Sequence, residues 1–402
     1  MRIVQVNAIY GSKSTGTIVR DIQSCCLANG IECYAAYSIA DRPEAEIPFG
    51  YHIGNRFTAK WSALLSRITG KQAYSNRIST WRFLRWLNKL NPDIVHLHNL
   101  HNNYIHLNML LSYLAKHNIA TVITMHDCWY FTGGCTHFTS VGCERWKKGC
   151  GHCPKWRKIP SFFFDRTHAV LSDRVKYLGA IRRLMMVGAS EWIANEMSLS
   201  LLNHLEITFI HNGFDLEVFK PSPSEKRKQL CLEGKYIILG PASKWLLPIN
   251  RPTLDYFILQ MDSDAVLLLF GCSHNDMSLP KNVVQLGYFK DPHEMAQLYS
   301  LADVMVNCSR EDTLSSLNLE CQACGTPVVT FDATGSKETV DDKCGFSVKT
   351  GDYASLWNQV KIIRSTGKEN LTEKCRATVL RGFDKKTNYD KYISLYNSLI
   401  TK

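Results

Sequence analysis

The chain has 402 residues and a mass of 45.8 kDa; 45% of its residues are hydrophobic and 21% charged. That length points to two or three domains, and that composition excludes a disordered or fibrous chain. The formal net charge of +11 is uneven: residues 1–200 hold 24 Lys and Arg against 12 Asp and Glu, and residues 201–402 hold 23 against 24, so the first half calls for an anionic partner, a membrane surface or a nucleic acid.

The opening Met1–Asn7 reads as a buried strand and not as a signal peptide, which needs an apolar stretch of about 7–15 residues. The longest continuous apolar run, Ala265–Phe270, falls far short of the ~20 residues that span a bilayer. These features predict a cytoplasmic protein, peripheral at the inner face of the cytoplasmic membrane. Fifteen cysteines in a reducing compartment are expected to be thiols or metal ligands, not disulfides.

Strands are predicted at Ile3–Val6, Cys33–Tyr37, Ile94–Leu97, Thr121–Met125, Leu184–Val187 and Ile207–Ile210. After a gap they resume at Tyr236–Leu239, Ala265–Phe270, Val283–Leu286, Val304–Val306 and Val328–Thr330. Helical patterns lie between them at Thr17–Asn29, Leu107–His117, Ser190–Asn203, Pro292–Leu301 and Leu317–Cys324. Such alternation builds parallel sheets covered on both faces. The stretch Asn212–Lys235, with Asn-Gly, two prolines and a charge run, reads as a linker. Two α/β halves follow, and ligands of open α/β sheets bind beyond the carboxyl ends of the strands.

From Ile47 to Pro92 there is no acidic residue, while Arg56, Lys60, Arg67, Lys71, Arg77, Arg82, Arg85 and Lys89 alternate with Phe57, Trp61, Tyr74, Trp81, Phe83 and Trp86. In Trp81–Leu90 the residues Trp81, Leu84 and Leu87 or Asn88 share one helical face, and Arg82, Arg85 and Lys89 share another. This is the pattern of an interfacial amphipathic helix; a surface helix packed on its own domain is the competing reading.

Four constellations can carry chemistry. Gly11–Thr17 follows the first strand and opens a helix, where backbone amides favour anions; a Ser/Thr-capped turn explains it equally. Thr124-Met-His126-Asp127 ends a strand, so His126 can donate to a substrate hydroxyl or phosphate and Asp127 can orient it or act alone. His96, His98 and His101 surround the preceding strand end and are expected to line the substrate cleft. Cys135, Cys143, Cys150 and Cys153, ending in Cys-x-x-Cys, fit a structural zinc site, with ordinary thiols as the alternative. Lastly, Asp312 and Glu320 flank Ser315, Ser316 and Leu317 at a helix start. Amides there can take a diphosphate, and carboxylates accept paired sugar hydroxyls.

In this order the motifs resemble the retaining glycosyltransferases of the GT-B fold, family 4, of the colanic-acid and O-antigen type. The resemblance rests on Ser14-Thr-Gly16, His96-Leu-His-Asn-Leu-His101, Thr124-Met-His-Asp-Cys-Trp129, Thr132-Gly-Gly-Cys135 through Cys153-Pro154, and Ser190-Glu-Trp192. It continues through His211-Asn-Gly-Phe-Asp215, Asp312-x7-Glu320, Cys324-Gly-Thr-Pro327 and Gly335-Ser-Lys-Glu338. It implies two Rossmann-like domains facing across an interdomain cleft: residues 1–212 on the acceptor side with a Cys-rich loop at 128–158, residues 213–382 on the nucleotide-sugar side, and a helix at 383–402 returning to the first domain. It further implies retaining hexosyl transfer from a UDP- or GDP-sugar to a lipid-linked oligosaccharide, with no catalytic metal and no nucleic acid. By the same resemblance Asp312 contacts the donor sugar, Glu320 the ribose, the Ser315–Leu317 amides the diphosphate, His126 the donor sugar, and Gly16 lies in a loop facing the cleft.

One departure is visible. Many relatives carry Ser-x-Trp-x-x-Arg-Lys-Gly after the first strand of the second domain. Here Ser243-Lys244-Trp245 is followed by Pro248 and Ile249 where the basic pair would stand, which leaves Lys244 or Arg251 as its replacement. A sugar-nucleotide epimerase of the same fold and a low-activity member are the alternatives. Nucleic-acid binding lacks any recognised motif.

Overall fold

The computed structural model describes residues 1–158, 161–223, 225–274 and 276–401. The chain divides into two compact units, Met1–Asn212 with Lys386–Lys402, and Gly213–Lys385.

The sheet of the first unit is built, among the described residues, from β1 (Arg2–Val6), β2 (Glu32–Tyr37), β3 (Gly50–His52), β4 (Ile94–Leu97), β5 (Ala120–Met125), β6 (Leu184–Gly188) and β7 (Glu206–Phe209). All pair in parallel, in the order β3-β2-β1-β4-β5-β6-β7. The chain reverses its direction of growth at β1, and the strands beside that switch, β1, β4 and β5, carry the polar ends of the site. Around the sheet lie α1 (Lys13–Ala28), α2 (Arg56–Thr69), α3 (Arg77–Leu90), α4 (Leu107–Lys116), α5 (Thr167–Gly179) and α6 (Glu191–Ser198). Strands β4 and β5 are buried at every position, as expected of a parallel sheet covered on both faces.

The second unit repeats the plan. Strands β8 (Tyr236–Pro241), β9 (Ala265–Phe270), β10 (Val283–Gln285), β11 (Val304–Asn307), β12 (Val328–Phe331) and β13 (Gly345–Val348) run parallel in the order β10-β9-β8-β11-β12-β13. Helices α7 (Arg251–Gln260), α8 (Pro292–Leu301), α9 (Ser316–Ala323), α10 (Tyr353–Thr366) and α11 (Glu369–Gly382) cover it. The final helix, α12 (Lys385–Thr401), packs Tyr389, Tyr392, Tyr396 and Leu399 against Ile3, Ile94, Val122 and Val187 of the first unit.

Three expectations change. The predicted linker at 212–235 is packed chain: Leu232 is buried, and Phe219 and Leu230 lie against the same core of the second unit. Helix α1 begins a turn earlier than its apolar pattern suggested, so Gly16 is buried within its first turn and not in a loop. A Cβ there would stand 3.1 Å from Ile9 Cγ2 and 3.2 Å from Ile9 O, while Gly11 N–H donates to Gly16 O at 2.9 Å; this glycine serves close packing. Finally, α3 buries Phe83 and Leu87 and leaves Trp81 half-exposed, with the Arg85 guanidinium 4.9 Å over its ring.

The outward apolar stripe lies instead on α2. Phe57, Trp61, Leu64 and Ile68 are all exposed, Phe57 by 77%, whereas Ser62 and Ser66 face inward at 3% and 2%. A surface helix normally does the reverse. Exposed Lys60 and Arg67 flank the stripe, and Phe163, itself exposed, bonds through its N–H to Arg67 O. No helix among the described residues is long and apolar enough to cross a membrane.

Candidate functional site

In the first unit the site residues stand at the carboxyl ends of β4 and β5. His126 follows β5 directly and is partly exposed. Its Nε2 lies 3.1 Å from His98 Nδ1. Burial pushes His126 down to about 4; Asp127 opposes that shift and His101 adds to it. The ring is therefore neutral at physiological pH.

Asp127 does not orient His126. One of its oxygens caps the 3-10 turn Cys128–Phe131 by accepting from Trp129 N–H at 2.9 Å. The other lies 3.1 Å from His101 Nε2. Burial works against a charge on His101, yet the bond to Asp127 outweighs it and holds the imidazole above its ordinary range. Asp127 in turn stays below its usual range, despite burial, through His101 and Trp129.

His96 and His98 are fully buried and do not line a cleft. His96 Nδ1 meets Tyr396 OH at 2.7 Å and its Nε2 meets Thr124 Oγ1 at 2.8 Å, while Thr124 Oγ1 meets Tyr392 OH at 2.8 Å. The terminal helix α12 thus fastens to the end of β5, two residues before His126. Sequence reading missed this, because Tyr392 and Tyr396 lie some 270 residues on; their i, i+4 spacing was the available signal.

The turn after Asp127 is held by Arg174 of α5, also missed. Its buried guanidinium lies 3.8 Å from the Trp129 ring and donates to the Trp129 and Thr132 carbonyls. Beyond it, Cys135, Cys143, Cys150 and Cys153 line one cavity with about 30 Å³ of internal space, together with Phe138 and Trp146. That is room for one water-sized body. Cys150 Sγ accepts from Gly133 N–H at 3.2 Å, and the Cys153 thiol accepts backbone bonds from Lys155 and Trp156. Burial pushes Cys150 up to about 11, with the fields of Cys143 and Cys153 adding to it. The expected zinc sphere is nevertheless not assembled. The Cys135 thiol is turned to the His137 carbonyl, and among the described residues no three His, Cys, Asp or Glu side chains are grouped to hold a metal. Cys128 is buried away from this cavity's lining.

In the second unit, α9 starts at Ser316 with Ser315 as its cap residue. Among the described residues the Ser315 side chain does not cap it and no acidic residue occupies its first turn, so the amides of Ser316 and Leu317 carry the uncompensated positive end of the helix dipole. A buried network fixes that terminus to β11. Asn307 Nδ2 donates to Ser315 Oγ at 3.0 Å and Asn318 Oδ1 at 2.8 Å, and Asn318 Nδ2 donates to Thr339 Oγ1 at 2.8 Å. Asp312 N–H donates to Thr334 Oγ1 at 2.9 Å, and Gly335 N–H donates to Asp312 O at 3.0 Å, pinning the loop before the helix. Glu320 accepts from Tyr299 OH at 2.9 Å. Burial raises it to about 7, against the opposing pull of that hydrogen bond.

The basic residues sort clearly. Arg251 is more than half exposed and paired with Asp255 at 2.7 Å. Lys244 lies in a short helix, Ala242–Trp245, beside exposed Ser243. Arg310, overlooked in the sequence, donates from Nε to Asn250 Oδ1 at 2.9 Å and sits 5.6 Å over the Phe331 ring. Burial pushes Cys308 up to about 12 while Lys244 and Arg310 both pull it down, so both cations lie near the end of β11. Among the described residues Arg227, Arg251, Arg364 and Arg381 each pair with an aspartate, whereas Arg310 and Arg376 bond only to neutral groups. A basic residue two positions before Asp312 was the missed signal.

Comparison with known proteins bears on the family and the fold. Residues 19–218 match the family described as Glycosyltransferase Family 4, and residues 256–364 match Glycosyl transferases group 1. The chain is 22% identical over 421 residues to the putative colanic acid biosynthesis glycosyl transferase WcaC of Escherichia coli K12, covering 99% of this chain and 100% of that one. It is 26% identical over 122 residues to the capsular polysaccharide biosynthesis glycosyltransferase CapM of Staphylococcus aureus, covering 30% and 31%. Among solved structures, sucrose-phosphate synthase of Thermosynechococcus elongatus superposes with a TM-score of 0.71 at 16% identity, covering 100% of this chain and 99% of that one. Anabaena Alr3699/HepE in complex with UDP gives 0.68 at 15%, covering 99% and 100%.

Proposed function

Because the chain belongs to the family 4 glycosyltransferases of the GT-B fold, we propose that it transfers a sugar, with retention at the anomeric carbon, from a nucleoside-diphosphate sugar to a lipid-linked saccharide during assembly of a bacterial surface polysaccharide. The names of the E. coli and S. aureus relatives support the pathway class. The UDP in the HepE complex supports a nucleotide-sugar donor.

The observation that carries this reading is the uncapped start of α9 between Asp312 and Glu320. In it the Ser316 and Leu317 amides take the diphosphate, Asp312 takes hydroxyls of the donor sugar, and Glu320 takes the ribose diol. His126 takes a hydroxyl of the donor sugar. A departing nucleoside diphosphate gathers negative charge, and fixed cations favour that departure. Lys244 and Arg310 fill this role, and Arg251, neutralised by Asp255, does not. Asp127 acts through His101 and the turn it caps, and Gly16 through packing.

The outward stripe of α2 with Lys60 and Arg67 supports docking on an anionic membrane, where apolar side chains enter and cations meet headgroups. The four cysteines that line one small cavity support a structural zinc in the Cys loop, bound when their thiols draw together, because thiolates suit a tetrahedral soft-ligand cation. A panel of UDP- and GDP-sugars, scored by released nucleotide, tests the transfer.

A further inference from the structure

Gln5, His98 and His126 form one hydrogen-bonded line inside the first unit. Gln5 stands on β1, fully buried, and its Nε2 donates to the Val19 carbonyl at 3.1 Å and toward Cys33 Sγ at 3.5 Å. A carbonyl oxygen only accepts, so the amide is fixed in this orientation. Gln5 Oε1 is then the atom that lies 3.1 Å from His98 Nε2. An amide oxygen likewise only accepts, so His98 Nε2 carries the hydrogen.

Burial holds His98 neutral, well below its ordinary range. Its Nδ1 is therefore a bare lone pair. That lone pair lies 3.1 Å from His126 Nε2, and two lone pairs do not face each other at that separation. His126 Nε2 must carry a hydrogen as well. His126 is also neutral, so its remaining nitrogen, Nδ1, presents a lone pair. Among the described residues nothing bonds to that atom, and it is not sealed from solvent.

We infer that Gln5 and His98 are positioning residues that fix His126 as a hydrogen-bond acceptor, so that the ligand group it meets is a hydroxyl and not a phosphate or carboxylate oxygen. A sugar hydroxyl can donate to Nδ1; an ionised oxyanion cannot. This reverses the donor role expected from the sequence. The hydroxyl assignment rests on the proposed function, which puts His126 at the donor sugar. The tautomer itself does not.

Long-range proton–nitrogen correlation spectra of the full chain, labelled with 15N-histidine, test it at pH 7, with His126→Ala to assign the signals. The expected result is a protonated Nε2 and a bare Nδ1 on both His98 and His126, without averaging. In Gln5→Met, and separately in His98→Phe, the His126 signals should move toward a mixture of tautomers. A merely structural Gln5 would lower stability and leave those signals unmoved, which would overturn the relay. A protonated Nδ1 on His126 in the unaltered protein would overturn it with no variant needed. Titration with UDP-glucose should then shift the His126 Nδ1 signal; binding without that shift would overturn the hydroxyl assignment. If no UDP- or GDP-sugar binds at all, the proposed function and the hydroxyl assignment fall together, and the tautomer stands.

Discussion

Glu320 gives the second unit a built-in pH dependence. Its carboxyl is held at about 7 by burial, with Tyr299 OH as its one opposing hydrogen bond. A carboxylate accepts two ribose hydroxyls; a carboxylic acid offers fewer lone pairs and brings its own hydrogen. If only the ionised form binds, the apparent dissociation constant carries a factor of one plus ten to the power of (pKa − pH). That factor is about 11 at pH 6, about 2 at pH 7 and about 1.1 at pH 8. UDP-glucose affinity should therefore rise about tenfold from pH 6 to pH 8 and then level off. UDP-glucose suits the calorimetric assay because its diphosphate does not titrate in this window. Tyr299→Phe removes the bond that favours the anion and should move the midpoint upward. Glu320→Gln should bind weakly and without the pH slope. Stability runs the other way. A carboxyl raised above its unfolded value binds more protons in the folded state, so its contribution is present below about pH 4.5 and is lost as pH rises through about 7. Equal affinity at pH 6 and pH 8, with Glu320→Gln indistinguishable from the unaltered chain, would refute the ribose role.

Phe57→Ser with Trp61→Ser should weaken binding to vesicles containing anionic lipid by about 2–3 kcal/mol, roughly a hundredfold, given how exposed both rings are; cosedimentation at rising salt reads both terms, and unchanged binding would return the stripe to ordinary surface. Arg310→Ala should raise the KM for a nucleotide sugar and lower UDP affinity by about tenfold or more, as loss of a charged hydrogen bond does, whereas Arg251→Ala should change either by less than about twofold; the opposite ranking in calorimetry would contradict the assignment. Metal analysis of the purified chain should find about one zinc per molecule, released on combined Cys150→Ser and Cys153→Ser substitution. A metal-free protein of unchanged stability would make the loop a cluster of plain thiols.

Periodicity made the strands legible because a parallel sheet buried on both faces leaves near-continuous apolar runs. Ala265–Phe270 and Ile94–Leu97 read directly and match, while the strands Glu206–Phe209 and Val283–Gln285 end one residue short of their predicted runs. Gly50–His52 and Gly345–Val348 were missed because edge strands are short and half-exposed, so the apolar signal fades. Helix α2 escaped notice for a physical reason: its apolar residues face outward and its serines inward, the inverse of what a core-facing pattern search seeks. The site was legible in parts. Asp312, Glu320 and His126 could be picked out because strand ends and helix starts are marked in the sequence. Their settings could not, since the Gln5–His98–His126 line and the Asn307–Asn318–Thr339 network join residues of different elements that only the fold brings together. Arg310 was hidden for the opposite reason, being one cation among many; its place just after β11, beside Asn250 and Phe331, is visible only in the fold.

The proposed use of a nucleoside-diphosphate sugar as donor rests on the start of α9 serving as an anion site. A screen of UDP- and GDP-sugars by nucleotide release, with Asp312→Asn and Glu320→Gln run in parallel, tests it most directly. Release is expected from at least one donor, with a fall of at least about a hundredfold in kcat/KM in each variant, the scale of about 2.7 kcal/mol of transition-state stabilisation. A folded protein that releases nucleotide from no donor, or variants as active as the unaltered chain, would contradict it.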